Sequence, residues 1–242
     1  MGAKPKLLLF GGSGKLGQEI SKKCIDNFDV IAPSHDICDV TNYEEVKAQF
    51  AKEKPDVVIN TAAIVGIKEC ENNKDLAWDV NVIGALNIAK LCNEVKCRLV
   101  FVSTAVVFDG MKGNYEEHDT PSPMYYYAIT KVAAEQSCMI LENSAIVRLD
   151  LFSQNNFKYK KVLIDHYTSK IPMSVAAENL LLITKSGFTG VINIGQDRDT
   201  LFNILKPYIK DIEGITIHES SMPDFPKDIS LDISLWKNKF GS

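Results

Sequence analysis

A short apolar run that empties into glycines constrains the fold of this chain more than any other feature. Lys6-Leu7-Leu8-Leu9-Phe10 has the unbroken apolar character of a strand buried on both faces of a parallel sheet. It leads into Gly11-Gly12-Ser13-Gly14-Lys15-Leu16-Gly17, after which Gln18 to Ile25 reads as a helix. The glycines at 11, 14 and 17 follow GxxGxxG rather than GxGxxG spacing. Glycine allows a tight turn, lets backbone approach a pyrophosphate and lets the helix sit close to the strand. The helix start adds free N–H groups and a positive dipole end. A glycine turn without a ligand is the plain alternative, but the strand before and the helix after favour dinucleotide binding. Gly11, Ser13, Gly14, Lys15, Leu16 and Gly17 are the candidate phosphate-binding residues.

Strand and helix patterns alternate along the rest of the chain. Asp29 to Ala32, Pro55 to Asn60, Leu99 to Val102, Ala145 to Leu149 and Val191 to Ile194 read as strands. Tyr43 to Lys52, Asp75 to Glu94, Tyr127 to Leu141 and Thr200 to Lys210 read as helices. Alternation of this kind predicts an α/β fold, a Rossmann-type doubly wound parallel sheet. The expected division is a dinucleotide-binding domain over 1–148 and a small substrate lobe over 149–242, interleaved with the last sheet elements. At 242 residues the chain is long enough for one substantial core.

Ligands in open α/β sheets bind beyond the carboxyl ends of the strands. The third strand ends in Asn60-Thr61-Ala62-Ala63, and small residues at 62 and 63 let a flat cofactor pass close to the backbone. The fourth ends in Ser103-Thr104-Ala105, which puts the Thr104 hydroxyl near a reacting carbon. Tyr127 and Lys131 are one helical turn apart and share a face. A nearby ammonium lowers a tyrosine's pKa and equips it for proton transfer. Alone the pair is a common spacing on a solvated helix, and Thr104 alone is a strand-end cap. Two hydroxyls over one pocket are more specific.

Other features narrow the class. A net charge of −4 without a basic block gives no reason to expect nucleic acid. No apolar run reaches membrane-span length, and the amino terminus enters a strand at once, unlike a signal peptide. Six cysteines at 24, 38, 70, 92, 97 and 138, none in CxxC spacing, predict reduced thiols, no metal site and a cytoplasmic location.

Taken together, the motifs resemble those of extended short-chain dehydrogenase/reductases, most closely the dTDP-4-dehydrorhamnose reductase group. The matching text is Gly11 to Gly17, Asp56 to Ala63, Trp78 to Gly84, Val102-Ser103-Thr104 with Val107-Phe108-Asp109-Gly110, Lys112 to Glu117, the Tyr127/Lys131 pair and Ser230 to Ser234. The resemblance implies a Thr104–Tyr127–Lys131 triad. Tyr127 would protonate the C4 oxygen of a nucleotide-linked 4-keto-6-deoxy sugar while a nicotinamide delivers hydride. Lys131 would hold the nicotinamide ribose and lower the tyrosine pKa. Asn81 matches a helix asparagine that supports the lysine, and Asp39 and Val40 match a pair that contacts adenine. Asn155, Asn156 and Phe157 match a segment flanking the nucleotide-sugar cleft. A homodimer is one assembly this reading admits.

The departures bear on the substrate. Ala105-Val106 stands where these reductases carry Asp-Tyr, Leu151 is nearest to a usual tryptophan, and the loop before the late helix shortens to Lys170-Ile171-Pro172-Met173-Ser174. The second strand ends in Ala32-Pro33-Ser34-His35, without the acid that grips a ribose 2′-hydroxyl. Lys15 with Ser34 or His35 could accept a 2′-phosphate, so NADPH is favoured, with NADH the alternative. A dehydratase needs an acidic pair beside the threonine, and an epimerase has a longer substrate domain. The main rival is a non-catalytic NAD(P)-binding protein similar to the regulatory subunit of methionine adenosyltransferase.

Overall fold

The computed structural model describes residues 2–154, 160–220 and 224–241. Five strands lead the chain order: β1 (Lys6–Phe10), β2 (Asp29–Ile31), β3 (Val57–Asn60), β4 (Arg98–Val102) and β5 (Ser144–Arg148). Four short ones follow, β6 (Leu151–Phe152), β7 (Lys161–Leu163), β8 (Tyr167–Thr168) and β9 (Ile171–Pro172), before β10 (Gly190–Asn193) returns to the main sheet. That sheet has six strands in the order β10-β5-β4-β3-β1-β2, and every pairing is parallel. The order reverses at β1, where the glycine loop leaves the sheet.

Alternation along each strand divides the core in two. Leu7, Leu9, Val57, Ile59, Val100, Val102, Ala145 and Val147 pack on one face. Leu8, Phe10, Val58, Leu99, Phe101 and Ile146 pack on the other. Successive strand side chains point to opposite faces, so both faces need helices. The first face receives α1 (Lys15–Cys24) through Ile20 and Cys24. The second receives α2 (Tyr43–Glu53) through Val46 and Phe50. Asn42 starts α2, its side chain accepting the N–H groups of Glu44 and Glu45 at 3.1 and 3.4 Å.

A short helix α3 (Ile67–Asn72) precedes the helical stretch expected over 75–94, which is divided into α4 (Lys74–Trp78), a π-helical turn over Asp79–Ile83 and α5 (Gly84–Val95). Next come α6 (Tyr126–Met139) on the second face and α7 (Met173–Ser186), which returns to the first face beside α1. Of the expected late helix only α8 (Leu201–Leu205) is helical, and α9 (Ser234–Phe240) closes the described chain, burying Trp236. Beyond β5, three two-stranded ladders carry the small lobe: β6 with β9, β8 with β11 (Asp199–Thr200), and β7 with β12 (Glu213–Ile215). Its own apolar cluster is Phe152, Val162, Ile204 and Leu205. Among the described residues no helix is long and apolar enough to cross a membrane.

Candidate active site

The carboxyl ends of β1, β3, β4 and β5 form one edge, and the glycine loop lies across it. Gly11 has φ 79°, and a Cβ there would lie 2.6 Å from the Ala62 nitrogen. A Cβ on Gly17 would lie 2.3 Å from the Gly11 carbonyl oxygen, so helix and loop touch backbone to backbone. Gly14 caps α1 without any side-chain cap, its N–H donating to Gly11 O at 3.0 Å. The next N–H groups therefore meet the edge as unneutralised donors at a positive helix end. Ser13, Gly14 and Lys15 are exposed, while Leu16 leans on the core. A cleft of about 260 Å³ runs from Lys15, Gln18 and Lys22 to Ser153, Gln154 and Ser174. A dinucleotide fits these features, because an uncapped helix start behind a side-chain-free loop suits a pyrophosphate.

The other candidate contacts are less uniform. Ala62 and Ala63 are partly exposed after β3, where Asn60 Oδ1 accepts the Ala62 N–H at 3.0 Å. Ser34 turns the chain after β2, its carbonyl accepting N–H groups from Ile37 and Cys38. Asp39 commits one carboxylate oxygen to Thr41, whose N–H and hydroxyl both donate at 2.9 Å. The Val40 side chain is buried against Gly84. The Asp39 N–H donates to Glu45 at 2.8 Å, its carbonyl accepts the Asn42 N–H, and the Val40 carbonyl accepts from Asn87 at 3.0 Å, so the pair offers a ligand mainly the Val40 N–H and the second Asp39 oxygen. Asn155, Asn156 and Phe157 lie outside the described residues.

Thr104, Tyr127 and Lys131 come together at the end of β4. Thr104 is 9% exposed and its Oγ1 accepts the Val106 N–H at 3.3 Å, so it is the strand-end cap. The same hydroxyl lies beside the Tyr127 phenol, close enough to act on its pKa. Burial pushes the phenol pKa upwards, Cys70 and Asp150 add to the rise, and Thr104 opposes it. This corrects the expected lowering by Lys131. The Lys131 ammonium donates to Val102 O at 2.7 Å and lies 4.1 Å from the centre of the Phe101 ring. Burial also lowers its own pKa to about 8. The phenol thus holds its proton at neutral pH, as a group that donates a proton must.

The RmlD substrate binding domain model matches residues 5–186. The chain belongs to this family. It is 32% identical over 145 residues to dTDP-4-dehydrorhamnose reductase of Aggregatibacter actinomycetemcomitans, covering 59% of this chain and 49% of that protein. It is 27% identical over 197 residues to methionine adenosyltransferase 2 subunit beta of Xenopus laevis, covering 70% of this chain and 58% of that one. The chain spans about half the length of the reductases it matches. A solved dTDP-4-dehydrorhamnose reductase ortholog from Clostridium acetobutylicum superposes with a TM-score of 0.88 at 28% identity, over 98% of this chain and 93% of that one. An NADP complex of the Bacillus anthracis reductase shares the fold, with a TM-score of 0.89 at 21% identity, over 98% of this chain and 93% of that one.

In this member of the RmlD family, Asn81 and several residues that sequence reasoning passed over hold the site. Thr130 donates its hydroxyl to the Tyr127 carbonyl at 2.7 Å. Asn81 donates to Thr130 Oγ1 at 2.9 Å and binds both the N–H and the carbonyl of Ile64. Asn81 therefore ties the segment after β3 to α6 and makes no bond to Lys131 among those found. It sits in the π-helical turn, a distortion that often marks functional sites. Glu71 accepts the Tyr126 N–H at 3.0 Å and so caps α6 from another helix. Arg148 pairs with Glu135 at 2.7 Å, both almost fully buried. Asp150, which raises the Tyr127 pKa, is held by Lys170 at 2.5 Å and by the Thr168 hydroxyl at 2.7 Å. Apart from the Thr130 bond to Tyr127, three residues away, only long-range contacts reveal these roles.

Proposed function

We propose that this chain reduces the C4 keto group of a nucleotide-activated 4-keto-6-deoxy sugar, of the dTDP- or UDP-4-dehydrorhamnose type, with NADPH or NADH as reductant. The observation that carries this reading is the Thr104–Tyr127 hydroxyl pair above a buried Lys131, beside an uncapped α1. The residues to hold the cofactor are the Gly11–Gly17 loop, Ser34, Asp39, Val40, Ala62 and Ala63, with Lys131 on the nicotinamide ribose. When bound, the nicotinamide supplies hydride to the carbonyl carbon. Tyr127 gives its proton to the developing alkoxide, as its raised pKa suits. Thr104 holds the carbonyl oxygen against the phenol. Residues 1–148 serve the cofactor and 149–242 hold the reduced substrate lobe, interleaved with the last sheet elements, with Asn155, Asn156 and Phe157 at the sugar. The second strand ends in Ala32-Pro33-Ser34-His35, with no acid at its carboxyl end to exclude a 2′-phosphate, which supports NADPH.

The test follows NADPH oxidation with dTDP- and UDP-linked 4-keto-6-deoxy sugars. Tyr127→Phe is expected to lower turnover by about 10²- to 10⁴-fold while cofactor binding is unchanged. Equal rates in the two proteins would remove Tyr127 as the acid. A second reading, a non-catalytic NAD(P)-binding regulatory subunit, is favoured by one observation. The methionine adenosyltransferase subunit aligns with 70% of this chain, against 59% for the Aggregatibacter reductase. Cofactor binding with no turnover of any keto sugar would select it.

A further inference from the structure

The second cleft of the molecule lies at the opposite end of the sheet from the glycine loop. It has a volume of about 260 Å³, and Cys92, Lys96, Cys97, Ile140, Glu142 and Asn143 are among its lining residues. Two of the six cysteines line this one space, Cys92 fully buried and Cys97 7% exposed, and the backbone explains why they meet there. The helix α5 ends in a left-handed Lys96, φ 59°, whose N–H returns to the Cys92 carbonyl. The Cys97 N–H donates to the same carbonyl at 3.1 Å. A bond from the residue after the left-handed position to the carbonyl five residues back is the mark of a Schellman cap. In that cap the side chains at its two ends touch. Here both ends are cysteine, both are buried, and both line the cleft.

We propose that Cys97 and Cys92 form a thiol-modification site, in which Cys97 attacks a low-molecular-weight disulfide and Cys92 resolves the adduct into an intramolecular disulfide. In the first step the Cys97 sulfur bonds one sulfur of the reagent, whose S–S bond breaks and expels a thiolate. In the second, Cys92 loses its proton and attacks the Cys97 sulfur, expelling the other half as a thiol. Two protein thiols are oxidised and one small disulfide is reduced to two thiols. The remaining chemistry agrees. The neighbouring Cys92 lowers the Cys97 pKa against the rise from burial, whereas burial raises those of Cys24, Cys38, Cys70, Cys92 and Cys138. A lower pKa gives more thiolate, the attacking species. Cys138 packs in the same apolar cluster but does not line the cleft. Lys96 lines the cleft together with Glu142 and offers a cation to an anionic reagent such as oxidised glutathione.

The full-length folded protein is treated with oxidised glutathione, its free thiols are alkylated, and its peptides are mapped without reduction. The expected product links Cys92 to Cys97 and leaves the other four thiols alkylated. Cys92→Ser is expected to trap glutathione on Cys97, and Cys97→Ser to remain unmodified at Cys92. Melting curves of both variants show whether they are folded, and the wild-type map does not depend on them. The proposal is overturned if another cysteine reacts first. It is also overturned if Cys97 stays inert in the folded protein and reacts only in denaturant. Neither result bears on keto-sugar reduction, which involves none of these residues.

Discussion

The sheet-bearing body and the small lobe after β5 are built on different principles. In the body, β3, β4 and β5 are buried along their whole length, and each strand feeds two apolar clusters. In the lobe, β6, β8 and β9 are two residues long, and four residues make up the buried cluster. Polar links do the rest there: Asp150 with Lys170 and Thr168, and Arg198 with Asp228. Burial on two faces demands a continuous apolar run, whereas a polar link demands only two residues that happen to meet. The body is thus stiff and positions Thr104, Tyr127 and Lys131 directly. The lobe is marginal by itself, and a substrate pocket there is free to vary.

The largest expected effect tests whether the body depends on its one buried ion pair as well as on apolar packing. Glu135→Ala leaves the Arg148 guanidinium buried without its carboxylate, and unpairing a buried charge costs about 3–5 kcal/mol. Urea unfolding is expected to show a loss of that size. A loss below about 1 kcal/mol would mean that the Glu117 carbonyl, which already accepts from Arg148 at 3.1 Å, suffices as its partner. The lobe is probed by Leu205→Ala, which opens a void at a fully buried position and costs about 2–5 kcal/mol. Keto-sugar turnover is expected to fall while NADPH affinity holds. An equal loss of both would show that lobe and body unfold as one unit.

How far each region was legible follows from the same contrast. The strand over 6–10, the glycine loop and the βαβ order were readable because one local pattern forces each of them. Tyr127 and Lys131 were readable as a pair, but not the sign of the phenol's pKa. That sign depends on burial and on Asp150, remote in sequence, while Lys131 faces Val102 and Phe101 instead. The long helical pattern over 75–94 hid a π-helical turn, since its apolar spacing barely changes. Glu71 capping α6 across 55 residues leaves no trace in any window. The helix α7 and the two-residue ladders were missed for the same reason, being set by what they pack against.

Lys131 sharpens the comparison from the side of function. Its pKa of about 8 lies below the ordinary 10.5, so the unfolded chain binds this proton between those values and the native chain does not. Stability therefore rises with pH across that window, and below it the buried charge costs on the order of 3 kcal/mol. Lys131→Met is expected to melt higher than wild type at neutral pH, with the difference fading as pH approaches 10.5. Turnover is expected to be lost, the trade between stability and activity that functional sites show. A variant that melts lower at neutral pH would mean that the Val102 and Phe101 contacts outweigh desolvation.

The smallest effect is expected where the lobe meets the strap that follows residue 224. The Arg198 side chain is 43% exposed and donates to Asp228 at 2.7 Å, while its guanidinium lies 3.8 Å from the centre of the Tyr167 ring. Asp228 already accepts the N–H and hydroxyl of Ser230, and Tyr167 pairs with it through an isolated bridge. Arg198→Ala removes one partner from a network that keeps its others. Exposed pairs contribute about 0.2–1 kcal/mol, and an exposed cation over a ring about 0.5–1 kcal/mol. Salt separates the two, because added salt screens the ion pair and leaves ring contact largely in place. Melting of wild type and Arg198→Ala at low and high salt is expected to differ by about 1 kcal/mol or less, and by less still in high salt. A larger, salt-independent loss would assign the guanidinium to packing on Tyr167 and make the lobe more like the body than its short ladders imply.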